Sequence, residues 1–274
     1  FTRIREMLSF SVWMTLGAAL NAHNSRLDTL LIGGVLGQRT VGYYSYGEGK
    51  ATMPTRDLSA PLLYVLFPGL ATVQHDPARL ASAYKRVLGV IFAVCAPAGV
   101  GFALVSDQFA HSLLGDKWLP IIPIMQVIAV ALACETLVVP VAPLAMATGH
   151  TRGLFTRNIA AFCTRAPFII LGLFLLGIQG VLIARIFATI CYVLIFMTLA
   201  RNLTGVSVAE QLLCCTRSIA ALGIMVLGTI AFKSALPASF MFQFGALLAS
   251  VLVGALCYVI GHAGLWILAG RPHG

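Results

Sequence analysis

The stretch SALPASFMFQFGALLASVLVGALCYVIGHAGLWILAG, from Ser234 to Gly270, contains no Asp, Glu, Lys or Arg. A helix needs roughly 20 apolar residues to cross the hydrocarbon layer of a bilayer, so this stretch is more than long enough. Two further uncharged stretches, Val87–Ser106 and Ala166–Ala184, have about the length of a single span. The sequence therefore predicts a chain that crosses a membrane several times.

The composition of the whole chain supports the same class. Of the 274 residues, 59% are hydrophobic and 10% are charged, whereas soluble domains average roughly 25% charged residues. The formal net charge of +9 is explained by basic residues in loops on one side of a membrane, so we expect no nucleic-acid partner. The seven cysteines have no CxxC spacing. We interpret them as small packing residues.

Apolar runs and the Gly and Pro residues between them predict an all-α, polytopic membrane helix bundle with about eight transmembrane helices. The predicted helices are 8–35, 42–72, 87–106, 119–148, 156–176, 179–200, 217–233 and 240–268. With the N-terminus in the cytoplasm, ten basic residues lie in cytoplasmic segments and three in outer segments. This bias has the positive-inside sign, so we expect both termini in the cytoplasm.

The predicted connections are short, the longest running from Arg201 to Thr216. None of them is large enough to fold as a catalytic domain. A short amphipathic segment from His75 to Arg86 is predicted to lie along the cytoplasmic surface. Gly33 and Gly37 form a GxxxG pattern, which we interpret as a helix-packing site.

Charged side chains are concentrated in the first two predicted helices. A charge at the centre of a membrane helix costs about 2.5–3.5 kcal/mol, so such residues face a bundle interior or a watery cavity. One polar seam is predicted to follow both helices, and its members are Asn21, His23, Asn24, Arg26, Asp28, Glu48, Lys50, Arg56 and Asp57. We interpret the seam as a hydrated cavity for an anionic or sugar-bearing ligand. Internal salt bridges that stabilise the bundle are the alternative.

Glu135 is predicted to lie midway along the fourth helix, before Pro140 and Pro143. One hypothesis is a proton-coupling role, because a carboxyl group in an apolar environment can take up a proton. The other is an ion pair with Arg165 or Arg185 of a neighbouring helix. Both arginines are also close enough to predicted helix ends to extend to the membrane surface.

Motifs of enzymes are missing from the sequence: there is no GxSxG, no HExxH and no Walker A pattern. The six histidines are scattered rather than grouped with other ligand residues. We therefore expect no catalytic residues, no cofactor and no metal site, and predict that the protein is not an enzyme.

Four segments in this order resemble motifs of bacterial polysaccharide exporters. The first is SRLDTLLIGGVLGQRTVGYYSYG (Ser25–Gly47), which resembles the signature n-x-D-x-x-L-I-G-x-x-L-G-x-x-x-V-G-x-Y. The others are VLFPGLATVQHDPARLASAYKR (Val65–Arg86), LLGDKWLP (Leu113–Pro120) and LAMATGHTR (Leu144–Arg152). Together they resemble the polysaccharide transporter branch of the multidrug/oligosaccharidyl-lipid/polysaccharide (MOP) superfamily, the Wzx-like lipid-linked oligosaccharide flippases. One departure is Gly34, where this family often has Arg.

The resemblance implies a fold of two six-helix lobes arranged as a V. Residues 1–204 resemble the C-terminal lobe and residues 205–274 two additional transmembrane helices, so we expect the N-terminal lobe in a longer protein. The implied function is a flippase that moves an undecaprenyl-diphosphate-linked oligosaccharide across the bacterial inner membrane for lipopolysaccharide or exopolysaccharide biosynthesis. The implied partners are that lipid-linked oligosaccharide, membrane lipids, the N-terminal lobe, and polysaccharide polymerase and export machinery.

The resemblance and the polar seam together predict the binding residues. Arg26, Lys50 and Arg56 are expected to contact the head group, since Arg binds diphosphate with two parallel hydrogen bonds. His23, Asn24 and Asp28 are expected to shape the cavity, and Glu135 is the candidate for ion coupling. Three alternatives stay open: a multidrug antiporter of the same superfamily, a membrane-embedded polysaccharide polymerase or ligase, and a structural membrane subunit.

Overall fold

Long helices make up the fold. The computed structural model describes residues 2–237 and 244–268, with the side chains of residues 2–10, 14, 18, 21, 23, 25 and 64–67 outside the description. The described residues form helices and no strand, which confirms the all-α prediction. The α-helices are α1 Thr2–Leu36, α2 Gln38–Thr72, α3 Pro77–Phe109, α4 Ile122–Glu135, α5 Val141–Ala147, α6 Thr151–Thr204, α7 Val208–Leu213, α8 Thr216–Ala235 and α9 Phe244–Leu268. A π-helical turn (Ala110–Leu114) and two 3-10 turns (Asp116–Ile121 and Thr136–Val138) lie between α3 and α5.

Five helical stretches of the described chain are long and apolar enough to cross a membrane. They are Pro77–Leu114, Asp116–Ala147, Thr151–Thr204, Thr216–Ala235 and Phe244–Leu268. Large apolar side chains point outward from them, including Phe174, Leu175, Leu227, Leu252 and Ile260. A bilayer is the medium that such a surface requires. The two more polar helices α1 and α2 are outside this set, so their crossing of the membrane stays a prediction.

Helix α6 is a hairpin of two antiparallel arms, residues 151–176 and 178–204. Gly177 joins them with φ 58° and ψ −135°, a conformation that favours glycine. Gly153, near one end of α6, lies beside Leu199, near the other: a Cβ built on Gly153 would be 3.6 Å from Leu199 Cδ1. In a straight helix these residues would be tens of ångströms apart at 1.5 Å per residue. The two predicted helices 156–176 and 179–200 are therefore confirmed.

The signature motif forms the corner between α1 and α2. Gly37 has a φ of 83°, a backbone conformation that residues with L side chains rarely adopt. The helical path of α1 ends just before this residue. Its carbonyl accepts a hydrogen bond from the Val41 amide at 3.3 Å. Gly33 is the packing position, because a Cβ there would be 3.1 Å from the Val41 side chain. The GxxxG interpretation is thus correct for Gly33, whereas Gly37 makes a turn.

The predicted fourth helix, 119–148, is interrupted in the structure. Helix α4 ends at Glu135, a 3-10 turn follows, and α5 begins at Val141. Pro140 has no amide hydrogen to donate, so a continuous α-helix through this position would lose a backbone hydrogen bond. Glu135 therefore lies within the stretch Asp116–Ala147, at the point where the α-helix gives way to a 3-10 turn.

The segment from His75 to Arg86 is not a separate surface segment, and that prediction was wrong. Helix α3 begins at Pro77 and continues without a break to Phe109. The Asp76 carboxylate accepts hydrogen bonds from the amides of Ala78 and Arg79, both at 3.1 Å. A capping Asp followed by Pro at the first helical position starts a helix well before the apolar run that crosses a membrane.

The predicted 16-residue connection between α6 and α8 is mostly helical. Helix α6 continues to Thr204, and the short α7 follows. Ser207 and Glu210 form a capping box, in which the Ser207 amide donates to Glu210 Oε2 at 2.8 Å and the Glu210 amide donates to Ser207 Oγ at 3.2 Å. The buried Gln211 then fixes α7 in place: it accepts a hydrogen bond from Tyr84 and donates to the carbonyls of Met197 and Val206.

The chain divides into two compact units. Unit 1 comprises Phe1–Val41, Ala60–Leu88 and Leu137–Gln211, and unit 2 comprises Gly42–Ser59, Gly89–Thr136 and Leu212–Gly274. Unit 1 contains α1, α5 and α6, with α1 and α5 packed against α6. Unit 2 contains α4, α8 and α9, with α8 packed against α9. The division into residues 1–204 and 205–274 stays a prediction.

Two polar contacts attach α8 and α9 to α3 within unit 2. The Lys233 ammonium donates to both carboxylate oxygens of Asp107, at 2.7 and 2.8 Å, and to the Leu104 carbonyl at 2.9 Å. The Tyr258 hydroxyl donates to the Ala93 carbonyl at 2.7 Å. Lys233 is thus the last-turn cation of α8 and has a specific acidic partner.

Candidate functional site

In unit 1, the polar residues of α1 meet an arginine of α6. Arg165 Nη2 lies 2.5 Å from Asp28 Oδ2, and Arg165 Nη1 lies 3.5 Å from Asn24 Oδ1. The Asp28 side chain is 1% exposed and the Arg165 side chain is 12% exposed. Asn24 and Asp28 are four residues apart and share a helix face. Unit 1 therefore contains a buried, charge-paired cluster of Asn24, Asp28 and Arg165.

Arg165 and Arg185 were candidates to extend their side chains to the membrane surface, and neither of them does so. Arg165 has Asp28 as its partner, and Arg185, on the second arm of α6, is also buried. For Arg165 the packing of α1 against α6 explains this, because it brings Asp28 to the guanidinium. The expectation that these side chains extend to the interface was wrong.

Arg26 lies apart from this cluster. It is exposed, whereas Asp28, two residues further along α1, is buried. Residues two apart do not share a helix face, so the polar residues of α1 follow two faces rather than one. The side chain of His23 lies outside the described residues.

In unit 2, Lys50 of α2 is part of an aromatic stack. Its ammonium is 5.2 Å from the centre of the Tyr46 ring. The Tyr46 ring in turn stacks on Trp118, with centroids 4.2 Å apart. The ammonium of Lys117 is 5.6 Å from the Trp118 ring. Contact between a cation and an aromatic face stabilises the cation by roughly 0.5–2 kcal/mol, depending on desolvation, and positions Lys50.

Arg56 and Asp57 form an exposed pair on α2. Arg56 Nε lies 3.8 Å from Asp57 Oδ1, with side chains 69% and 64% exposed. An exposed pair with this spacing contributes little to stability, roughly 0–1 kcal/mol. Both groups therefore stay available to a ligand, to water or to another part of a longer protein. In contrast, the neighbouring Thr55 is buried.

The structure thus places the predicted residues in separate settings. Asn24 and Asp28 lie together in unit 1, and Arg26 is exposed on another face of α1. Lys50, Arg56 and Glu135 belong to unit 2. Sequence analysis missed Arg165 as the partner of Asp28 and Trp118 as the support of Lys50. A signal for Trp118 existed, since it is the aromatic residue of the quoted LLGDKWLP motif.

Comparison with known proteins supports the resemblance seen in the motifs. Residues 1–123 match the family described as "Polysaccharide biosynthesis protein". The Escherichia coli (strain K12) "Lipopolysaccharide biosynthesis protein WzxC" is 28% identical over 75% of this chain and 42% of its own length. The Klebsiella pneumoniae "Uncharacterized membrane protein in cps region" is 34% identical over 53% of this chain and 30% of its own length.

A third relative is the "Teichuronic acid biosynthesis protein TuaB" of Bacillus subtilis (strain 168), 24% identical over 54% of this chain and 30% of its own length. The chain thus spans less than half the length of these curated relatives. No solved structure matches it. Together with the apolar helices, these relatives show a multi-pass membrane protein. The resemblance stated from the sequence is confirmed: residues 1–123 match the polysaccharide biosynthesis family, and a Wzx-type protein is among the relatives of this chain.

Proposed function

We propose that this chain is part of a flippase that carries an undecaprenyl-diphosphate-linked oligosaccharide across the bacterial inner membrane. The product would serve lipopolysaccharide, exopolysaccharide or related surface polysaccharide biosynthesis. The family match and the relatives support a role in polysaccharide biosynthesis. On this proposal the protein is a transporter and not an enzyme, and residues 1 and 274 both lie on the cytoplasmic side.

The observation that carries the proposal is the exposed charged face of α2. The side chains of Arg56 and Asp57 are 69% and 64% exposed. Charged residues are rare in this chain, at 10% of the sequence. Contact of such groups with hydrocarbon would cost several kcal/mol. We infer that this face of α2 borders water in a cavity. A cavity inside a membrane protein is the place where a large polar head group can cross.

The chemistry of three cations, the exposed Arg26 and Arg56 and the half-buried Lys50, fits a diphosphate. Arg26 and Arg56 offer guanidinium groups, which bind phosphate oxygens through two parallel hydrogen bonds. Lys50 offers a compact ammonium that Tyr46 positions. We propose these three as head-group ligands, with His23, Asn24 and Asp28 shaping the cavity. Since Asp28 pairs with Arg165, its part is to fix the wall rather than to bind the substrate.

We propose further that residues 1–204 form the C-terminal lobe of the transporter and that residues 205–274 are two additional helices. The N-terminal lobe would belong to the longer protein, and the two lobes would open alternately to each side of the membrane. Glu135 is the candidate for ion coupling, at the break between α4 and α5. A polysaccharide polymerase and export machinery would receive the product.

Removal of the proposed ligands in the full-length protein tests the proposal. Arg26→Ala and Arg56→Ala should each lower surface polysaccharide by roughly tenfold or more, as expected for the loss of a charge-assisted hydrogen bond. Arg79→Ala is the matched control, since Arg79 is exposed, pairs with Asp76 and lies outside the seam. Unchanged export in both variants at normal protein levels would contradict the proposal.

A further inference from the structure

A cavity lies within unit 1, apart from the charged residues discussed above. Its volume is about 220 Å³, less than the roughly 300–1,000 Å³ of sites for drug-sized ligands. This space suits a single ring-sized group. Four aromatic side chains line it: Trp13, Phe155, Tyr192 and Phe196.

The fold brings these aromatic residues together in two pairs. Trp13 of α1 contacts Phe155 of the first arm of α6, with ring centroids 5.2 Å apart. Tyr192 and Phe196 of the second arm are 4.5 Å apart. Because the hairpin at Gly177 aligns the arms antiparallel, residues more than thirty positions apart in sequence line one cavity.

Polar groups accompany the aromatic walls. Asn158, three residues after Phe155 and so on the same face of the first arm, also lines the cavity. Within the described part of the chain, no hydrogen bond occupies its side-chain amide. The Arg152 guanidinium lies 5.6 Å from the centre of the Trp13 ring. Aromatic faces beside an amide and a cation provide both apolar and polar contacts.

We propose that this cavity binds one pyranose ring of the oligosaccharide, an inference that rests on the proposed function. The C–H face of a sugar ring packs on aromatic side chains, and its hydroxyl groups are hydrogen-bond partners for Asn158. A hydrocarbon chain would offer the Asn158 amide no hydrogen-bond partner. A cationic ligand would be repelled by Arg152, which already contacts the Trp13 ring. On the proposed orientation, Arg152 is cytoplasmic, so this subsite holds the sugar before it crosses.

Fluorescence of Trp13 tests the subsite directly. The full-length protein is prepared with every tryptophan except Trp13 replaced by Phe, which includes Trp118 and Trp266. It is reconstituted in lipid nanodiscs and kept free of detergents with sugar head groups, since these would compete. The probes are glucose, galactose, N-acetylglucosamine and, as the cationic alternative, tetramethylammonium.

We expect at least one of the sugars to change the Trp13 emission saturably, with half-saturation on the order of millimolar for a ligand of this size. Asn158→Leu should weaken binding roughly tenfold through lost hydrogen bonds, and Tyr192→Ala should abolish it. Phe168→Ala is the control: Phe168 lies on the same arm and stacks on Phe187, but it does not line the cavity.

The inference would be overturned by the absence of a saturable response to any of the sugars, or by a response to tetramethylammonium alone. A sugar response that Asn158→Leu and Tyr192→Ala leave unchanged would also overturn it. The export assay separates this result from the proposed function. If sugars bind but export does not depend on Arg56, the proposed flippase function is contradicted and the sugar site is retained. If export depends on Arg56 but no sugar binds, only the proposed sugar subsite is contradicted.

Discussion

Asp28 of α1 and Arg165 of α6 form a buried ion pair, with Arg165 Nη2 lying 2.5 Å from Asp28 Oδ2. The pair joins the signature motif to the first arm of the α6 hairpin. Ionised groups removed from water are tolerated when they neutralise each other, and the loss of one leaves the other uncompensated. For these two residues the structure favours the alternative in which a salt bridge stabilises the bundle.

Loss of one partner of this pair should destabilise the protein strongly. We expect Asp28→Asn or Arg165→Gln to lower the free energy of unfolding by about 3–5 kcal/mol, whereas the double variant should lose less than the sum. Thermal unfolding in nanodiscs measures this. Asp57→Asn is the control, since it breaks an exposed pair and should change stability by about 0.5 kcal/mol or less. An Asp28→Asn variant as stable as the control would contradict the pairing.

The contact between Lys233 and Asp107 should hold the end of α8 against α3. Lys233→Met leaves the Asp107 carboxylate and the Leu104 carbonyl without this donor, at a cost of roughly 1–3 kcal/mol. We expect faster hydrogen exchange in the last turns of α8. The double variant Lys233→Met with Asp107→Asn should restore part of the protection. If the two changes are simply additive, the contact has no energetic role.

The α6 hairpin should not tolerate even a methyl side chain at the point where its two arms are in contact. Gly180→Ala would place a Cβ against the Gly172 carbonyl, closer than any real contact, so the two arms must separate. We expect a loss of several kcal/mol or failure to accumulate in the membrane. Gly223→Ala, in α8 with open space around it, is the control and should gain up to about 1 kcal/mol from helix propensity. Equal accumulation of both variants would contradict the hairpin geometry.

The capping box of α7 should depend on pH. Hydrogen bonds from the Ser207 amide and hydroxyl lower the pKa of Glu210 below its ordinary value of 4.5. A carboxyl with a lowered pKa stabilises the folded state when ionised, so this contribution is present at neutral pH and is lost as the pH falls through the lowered pKa. Hydrogen exchange of residues 208–213, corrected for the intrinsic rate, should show this loss. Glu210→Gln should remove the pH dependence, and a variant that retained it would exclude the box as the cause.

The helices themselves could be predicted from sequence because burial in a bilayer requires long uncharged runs. The predicted helix 217–233 corresponds to α8, and the break between 156–176 and 179–200 corresponds to Gly177. The start of α3 was missed because a capped N-terminus such as Asp76-Pro77 lies outside the apolar run. The interruption after Glu135 was missed because membrane helices often tolerate proline, and sequence does not show which proline ends a helix.

The contacts of the site residues were harder to predict, because the sequence shows which charged residues lie in predicted membrane helices but not which residues they pair with. Asp28 was identified, yet its partner Arg165 lies 137 positions away and depends on the packing of α1 against α6. The aromatic cavity could not be predicted for the same reason: Trp13 and Tyr192 line one cavity only when α1 packs against the folded α6 hairpin. Their spacing in the chain carries no periodic signal.

Water accessibility at Arg56 tests the central claim most directly. In a cysteine-free background of the full-length protein, Arg56→Cys and Leu227→Cys are treated in intact membranes with a membrane-impermeant maleimide. Leu227 is exposed on the apolar surface of α8 and serves as the lipid-facing control. A water-filled cavity predicts rapid labelling at position 56, lowered by added lipid-linked oligosaccharide, and little labelling at position 227. Equal and negligible labelling at both positions would contradict the hydrated cavity and the transport function that depends on it.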